Sequence, residues 1–138
     1  IAGDVALGHY THEKSPLGAA AALAMIDFTI QQNLLEKVKE DEFFVSKELE
    51  AMKADVPLIG DVRGKGLLWA IELVKDPLTK ERAVEEAEQV MYACLRNGLS
   101  FKVSQGNVLQ LCPPLIITRK EISAALLIIR QAIQSVLS

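Results

Sequence analysis

Aromatic residues are scarce in this chain. They make up 5% of its 138 residues, although half of all residues are hydrophobic. A core built from such a chain has to be aliphatic and filled with Ala. Cysteine is scarce too: Cys94 and Cys112 form no CxxC spacing. That argues against a disulfide framework or a metal knuckle and for two reduced structural thiols in a cytoplasmic protein. Charge of one sign is also lacking. Fifteen Lys and Arg stand against 18 Asp and Glu, a net charge of −3, and the basic residues form no stripe. Neither nucleic acid nor an acidic membrane surface is an expected partner. The apolar run from Leu17 to Ile26 is too short for a bilayer span, which takes about 20 residues. No signal peptide is visible.

The length suits one domain, which buries about two-thirds of its unfolded surface. Ser15 is a good N-cap and Pro16 suits the first helical position, so a helix is expected over residues 16–30. It is apolar on every side, which predicts burial on every side. A second helix is expected over residues 34–54, with Val38, Val45, Leu49 and Met52 near one face. Its charges, Glu36 to Glu42, read as a solvated face. Residues 59–62 read as a short extended piece, interrupted by Gly64-Lys65-Gly66. Residues 67–74 read as a strand, with Leu67, Trp69, Ile71 and Leu73 on one face and cover expected on both.

Asp76-Pro77 and Thr79 are expected to open a third helix that stops at Asn97-Gly98. Residues 99–103 and 108–111 look like two strands joined by Ser104-Gln105-Gly106-Asn107. Thr118-Arg119-Lys120-Glu121 is a capping box for the last helix. The order predicts an α+β domain: a small, mainly antiparallel sheet with helices packed on it.

The chemistry-bearing stretch is GHYTHEKSPLGAAAALA, residues 8–24. A polar turn there opens onto the small-residue helix. It resembles the segment downstream of the cofactor lysine in class III, fold-type-I aminotransferases that use pyridoxal phosphate. There a Thr follows an aromatic residue and a Pro follows the Thr by five positions, as Thr11 follows Tyr10 and precedes Pro16. Gly60-Asp61-Val62-Arg63-Gly64-Lys65-Gly66-Leu67 and Pro113-Pro114-Leu115-Ile116-Ile117-Thr118 agree in order with two later family motifs.

The resemblance implies a C-terminal part of such an enzyme. Residues 1–15 become a lead-in and cofactor-phosphate turn. Residues 16–138 become the small C-terminal domain, with a long buried helix joining it to a large domain that this chain lacks. Start at Ile1 rather than Met fits that expectation. By resemblance, Thr11 donates its hydroxyl to the cofactor phosphate of the neighbouring subunit in a homodimer, with Tyr10 beside it. A turn hydroxyl bonded to its own backbone is the plainer alternative for Thr11. The Schiff-base lysine is expected upstream, so no catalytic residue is assigned in this chain, and the piece alone is expected to be inactive.

Two departures bear on substrate. His12-Glu13-Lys14 stand where the family commonly has small residues, at the substrate entrance or at the dimer seam, with Glu13-Lys14 equally readable as a solvated pair. Gln110 stands three residues before the Pro-Pro pair, where many α-amino-acid enzymes of the family fork an Arg onto the substrate carboxylate. Gln carries no charge, and a neutral hydrogen bond contributes about 1 kcal/mol against roughly 1.5–3 for a charge-assisted one. Either the carboxylate is held elsewhere or the bound group is not an α-carboxylate. Lys102, in the same hairpin, is a candidate substitute anchor and equally a plain surface lysine.

His9 and His12 lack a third ligand, so no metal is expected. Gly64-Lys65-Gly66 precedes a strand and is read as a bend, not a nucleotide loop, with Arg63 and Lys65 as structural or rim charges. The leading functional expectation is transfer of an amino group from an amine or amino acid to a 2-oxo acid. The alternatives are a racemase or epimerase, a phospho-lyase or a 2,1-aminomutase of the same family. A non-catalytic interaction domain is the reading from another class.

Overall fold

A computed structural model of the chain describes residues 15–137. The chain divides into two units, residues 1–35 and residues 36–138. The described part of the first unit is dominated by helix α1, Pro16–Gln31. Ser15 caps it as expected, its hydroxyl accepting from the Gly18 N–H at 3.2 Å. The expected burial is not supplied by the described residues. No residue of α1 is buried within this chain, and Leu17 and Ile30 are 82% and 70% exposed.

The second unit is the α+β body. Its elements are α2 (Leu34–Asp55, entering from the first unit), β1 (Ile59–Lys65), β2 (Leu68–Leu73), α3 (Val84–Arg96), β3 (Lys102–Ser104), β4 (Val108–Leu111) and α4 (Arg119–Val136). The four strands form one antiparallel sheet in the order β1-β2-β4-β3. Period-2 alternation sorts its two faces. Val62, Ile71, Leu109 and Val103 lie opposite one another across all four strands and face the core. They meet Leu49 and Met52 of α2, Val90 and Cys94 of α3, and Ile129 and Ile133 of α4 in one aliphatic cluster. Burial pushes the Cys94 thiol up to about 11, and both cysteines are free. None of the described helices is long and apolar enough to cross a membrane.

Four expectations are corrected. The charged face of α2 is not all solvated: Asp41 is 3% exposed and accepts from Lys37 Nζ at 2.6 Å and from Arg119 Nε at 3.0 Å. The Arg119 guanidinium also lies 4.4 Å over the Phe44 ring, so this cluster ties α2 to the start of α4. β1 does not stop at Val62 but runs through Gly64 to Lys65, because a hairpin with Gly66 at φ +59° continues the pairing. Among the described residues β2 is fully covered on one face only, since Leu68 is 53% exposed and Ala70 and Glu72 are half-buried.

The fourth concerns the start of α3. Asp76 Oδ1 accepts from the Leu78 and Thr79 N–H groups, which closes a turn rather than a helix. A bridge between Val74 and Arg82 then holds the chain extended, and the helix opens at Val84. The capping box of α4 is present as read, with Thr118 Oγ1 accepting from the Glu121 N–H and Glu121 accepting from the Thr118 N–H.

Candidate functional site

Alternation that turns Leu109 and Val103 toward the core turns Gln110 and Lys102 onto the other face of the sheet. There a row crosses all four strands: Arg63, Ala70, Gln110 and Lys102 are successive register partners. A parallel row holds Asp61, Glu72, Val108 and Ser104. The structure therefore brings together the two substrate candidates of this hairpin, Gln110 and Lys102, directly opposite each other.

Local chemistry fixes the hairpin that carries them. Gln105 and Gly106 take left-handed φ of +55° and +83° in a three-residue loop, residues 105–107, between the paired Ser104 and Val108. Asn107 is 1% exposed, and its amide donates to the Leu73 carbonyl at 2.8 Å while its own carbonyl accepts from the Leu73 N–H. The turn is thus bolted to β2, and the residues either side of it hold their register.

At one end of the outer face the charges are satisfied. Arg63 Nη1 donates to Asp61 Oδ2 at 2.9 Å and to Glu72 Oε2 at 2.7 Å. Those bonds hold the guanidinium above its ordinary value, Glu72 contributing most. Partial burial pushes the Asp61 carboxyl up, but hydrogen bonds from Arg63 and Lys53 outweigh it and leave the group below its ordinary value. Arg63 is a structural charge, one of the two roles the sequence left open for it. Lys65 likewise pairs with Glu42 at 2.9 Å.

At the other end the charge is not neutralised. Lys102 is exposed and has no ion-pair partner among the described residues. Gln110 is half-buried, and its Oε1 accepts from the Ser104 hydroxyl at 2.9 Å. That contact was not legible as a site feature. The turn signal marked Ser104 only as a loop residue, whereas the Ser104–Val108 pairing places it diagonal to Gln110. What this end can do is donate: one ammonium and one oriented amide.

The same strand ends border a cavity of about 520 Å³. Its walls are largely apolar, including Trp69, Phe101, Leu111, Pro113, Ile122 and Leu126. Lys102 and Gln110 lie at its border. Among the described residues no cluster of His, Cys, Asp and Glu could hold a metal. Thr11, Tyr10 and His12 lie outside the described residues. The donor set on the described face, one ammonium and one amide, suits a single small anionic group. It is not a cradle for a cofactor phosphate, which the resemblance places at Thr11 and Tyr10.

The chain matches the family model described as Aminotransferase class-III over residues 6–133. It is 60% identical over 98% of its length to an (R)-1-hydroxy-2-aminoethylphosphonate ammonia-lyase from Vibrio splendidus, covering 28% of that protein. It is 40% identical over 94% of its length to a leucine/methionine racemase from Thermococcus litoralis, covering 30% of that protein. Its fold superposes on an adenosylmethionine-8-amino-7-oxononanoate aminotransferase from Methanocaldococcus jannaschii. That superposition has a TM-score of 0.83 and 33% identity, over 94% of this chain and 30% of that one. The chain spans less than a third of the length of each of these proteins. It belongs to the class-III aminotransferase family, whose cofactor is pyridoxal phosphate, and has the α+β fold of the small C-terminal domain of fold-type-I enzymes.

Proposed function

We propose that the whole protein is a pyridoxal-phosphate lyase that releases ammonia from a small amino compound carrying an anionic phosphorus group. The observation that carries this reading is Gln110, a neutral amide at the position where an α-amino-acid enzyme needs a charged fork. The 60% identity to a phosphonate ammonia-lyase supports it independently. When bound, the cofactor supplies an electron sink for the carbon that bears the amine. Gln110 donates an amide N–H to one oxygen of the anionic group, and Lys102 supplies the compensating charge across the hairpin. An ammonium is a point charge and suits a tetrahedral anion without demanding the planar fork geometry of a carboxylate.

Thr11, with Tyr10 beside it, is proposed to hold the cofactor phosphate of the neighbouring subunit, and His12 to lie near the substrate entrance. These roles require a homodimer and a large domain supplying the Schiff-base lysine. The free thiols Cys94 and Cys112 support a reducing, cytoplasmic setting.

Amino-group transfer to a 2-oxo acid is the second reading, supported by the transaminases among the solved relatives. The two differ in stoichiometry. In the lyase reaction the amine-bearing carbon loses a proton, the neighbouring hydroxyl leaves as water, and water then replaces the amine, so ammonia and a carbonyl compound form with no acceptor. In transfer the amine passes to the oxo acid and no ammonia is freed. The full-length protein, given a 2-amino-1-hydroxyalkylphosphonate with and without pyruvate, is expected to release ammonia at the same rate in both. Conversion that requires pyruvate and frees no ammonia would overturn the lyase reading in favour of transfer. Inversion of configuration without either would overturn both in favour of a racemase.

A further inference from the structure

We propose that the apolar cavity beside β3 is the seat of a segment of the same polypeptide lying upstream of Ile1. The inference rests on the family assignment and on the shape of the core, not on which reaction the protein catalyses. Protein interiors hold few voids larger than a water molecule. Here the space is about 520 Å³, and it opens directly onto the core. Trp69, Ile122 and Ile129 line it and are at most 7% exposed, so they form its floor. Phe101, Leu111 and Ile117 line it too and pack against the same core, yet they are only partly buried. The core is thus closed where Val90 and Cys94 of α3 enter it, both fully buried, and open where α4 meets the ends of β3 and β4. Apolar walls around so large a space are unfavourable in water and favour an apolar filling.

Two observations choose the occupant. The first is that β3 is the edge of the sheet, with no strand on its outer side among the described residues. A bare edge beside an open core suits another stretch of chain: side chains enter the cavity while backbone faces the unpaired groups of β3. Lys102 is the only charged residue lining the cavity, so the side chains that enter it are apolar. The second observation is that more chain is expected. The relatives matched are more than three times as long, and this chain corresponds to the C-terminal part of the family fold, which puts the missing length upstream. A segment tethered through the backbone loses less freedom on docking than a separate molecule of the same chemistry.

Cys112 lines the cavity and is exposed, whereas Cys94 is buried in the core, so thiol reactivity reads the occupancy without any variant. In the full-length protein with its cofactor, Cys112 is expected to react with a maleimide about a hundredfold more slowly than in the urea-unfolded chain. Ala125→Cys, on the α4 wall and away from the hairpin that carries Gln110, is expected to be protected to the same degree. The photo-crosslinker p-benzoylphenylalanine in place of Ser100, an exposed lining residue, is expected to bond to a peptide upstream of Ile1 in a product of single-subunit mass. Free reaction of both thiols would show an open cavity and overturn the proposal. Protection of Cys112 alone would trace to the surroundings of the hairpin and overturn it too. Protection of both with a product of twice the subunit mass would make the occupant a second copy. Protection of both with no upstream crosslink would rule out the segment named here.

Discussion

Asp41 and Glu42 are neighbours in a run of charged residues, yet they do different work. Asp41 is buried beneath Arg119, a residue 78 positions away, and no local pattern reveals that. Glu42 reaches out to the next hairpin, accepting from Lys65 Nζ at 2.9 Å and from the Gly66 N–H at 2.8 Å. The Lys65 bond first, then the Gly66 N–H, holds its carboxyl below the ordinary 4.5. Glu121 is lowered from the same value by its bonds with Thr118. Asp76 is lowered from 3.8 by the Thr79 and Leu78 N–H groups of its turn, and Asp61 is lowered too.

A carboxyl depressed in the folded state binds protons more readily when unfolded. Its contribution is therefore present above the ordinary value and is lost as pH falls through the folded value. The urea midpoint is expected to hold from about pH 7 down to the ordinary carboxylate range and then to fall modestly, because these groups are solvent-screened. Glu42→Gln is expected to lower the neutral midpoint and to flatten the acid limb. A midpoint independent of pH across that range would show that these contacts do not form in solution.

At the scale of elements, most of what was legible in the sequence was local. The cap at Ser15, the Asn97-Gly98 stop, the Gln105-Gly106 turn and the Thr118 capping box each involve neighbours within a few positions, and each is present. The start of α3 was misread because Asp76 satisfies helix-like donors in a turn, while the Val74–Arg82 bridge competes for the following residues. The same distinction explains the site. Gln110 and Lys102 could be singled out by residue type, but their shared face and the Ser104 contact needed the strand register.

The glycines of β1 show how a bend and a packing demand coincide. Gly64 lies opposite Trp69, and a Cβ there would meet Trp69 Cδ2 at 2.4 Å and the Leu68 carbonyl oxygen at 2.5 Å. The indole lies across the bare backbone and donates Nε1–H to the Gly66 carbonyl at 2.8 Å. Because one obstacle is backbone, Gly64→Ala cannot be absorbed by a rotamer change, and it is expected to cost about 1–3 kcal/mol. Gly18→Ala should move the other way by about 0.5–1 kcal/mol, since Gly18 lies in a helix with only ordinary contacts around the added methyl. Denaturant midpoints of the two variants check both signs. A neutral Gly64→Ala would mean that the β1–β2 hairpin is looser than the register implies.

For the whole molecule, the decisive feature is the contrast between the two units. The second carries a closed aliphatic core and ion pairs that tie its elements together. In the first, α1 leaves Leu23, Met25 and Ile26 61%, 63% and 54% exposed, and no side is polar enough to face water. Such a surface marks contact with something else. The relatives this chain matches are more than three times its length, so the remainder of a longer protein is the proposed cover for α1. The alternative, a free-standing interaction domain, requires the gene product to be this chain alone. Both make the same demand on the isolated 138 residues: they should self-associate. Sedimentation of that chain is expected to give species heavier than 15.1 kDa, and Leu23→Lys with Ile26→Lys is expected to shift it toward the monomer. A wild-type monomer would mean that α1 tolerates water, and the inference of a cover would fall. The intact mass of the natural gene product then separates the two demands. A subunit about three times as long makes the cover intramolecular and the enzyme reading testable, whereas a 15.1 kDa product removes the large domain and with it the lysine the chemistry needs.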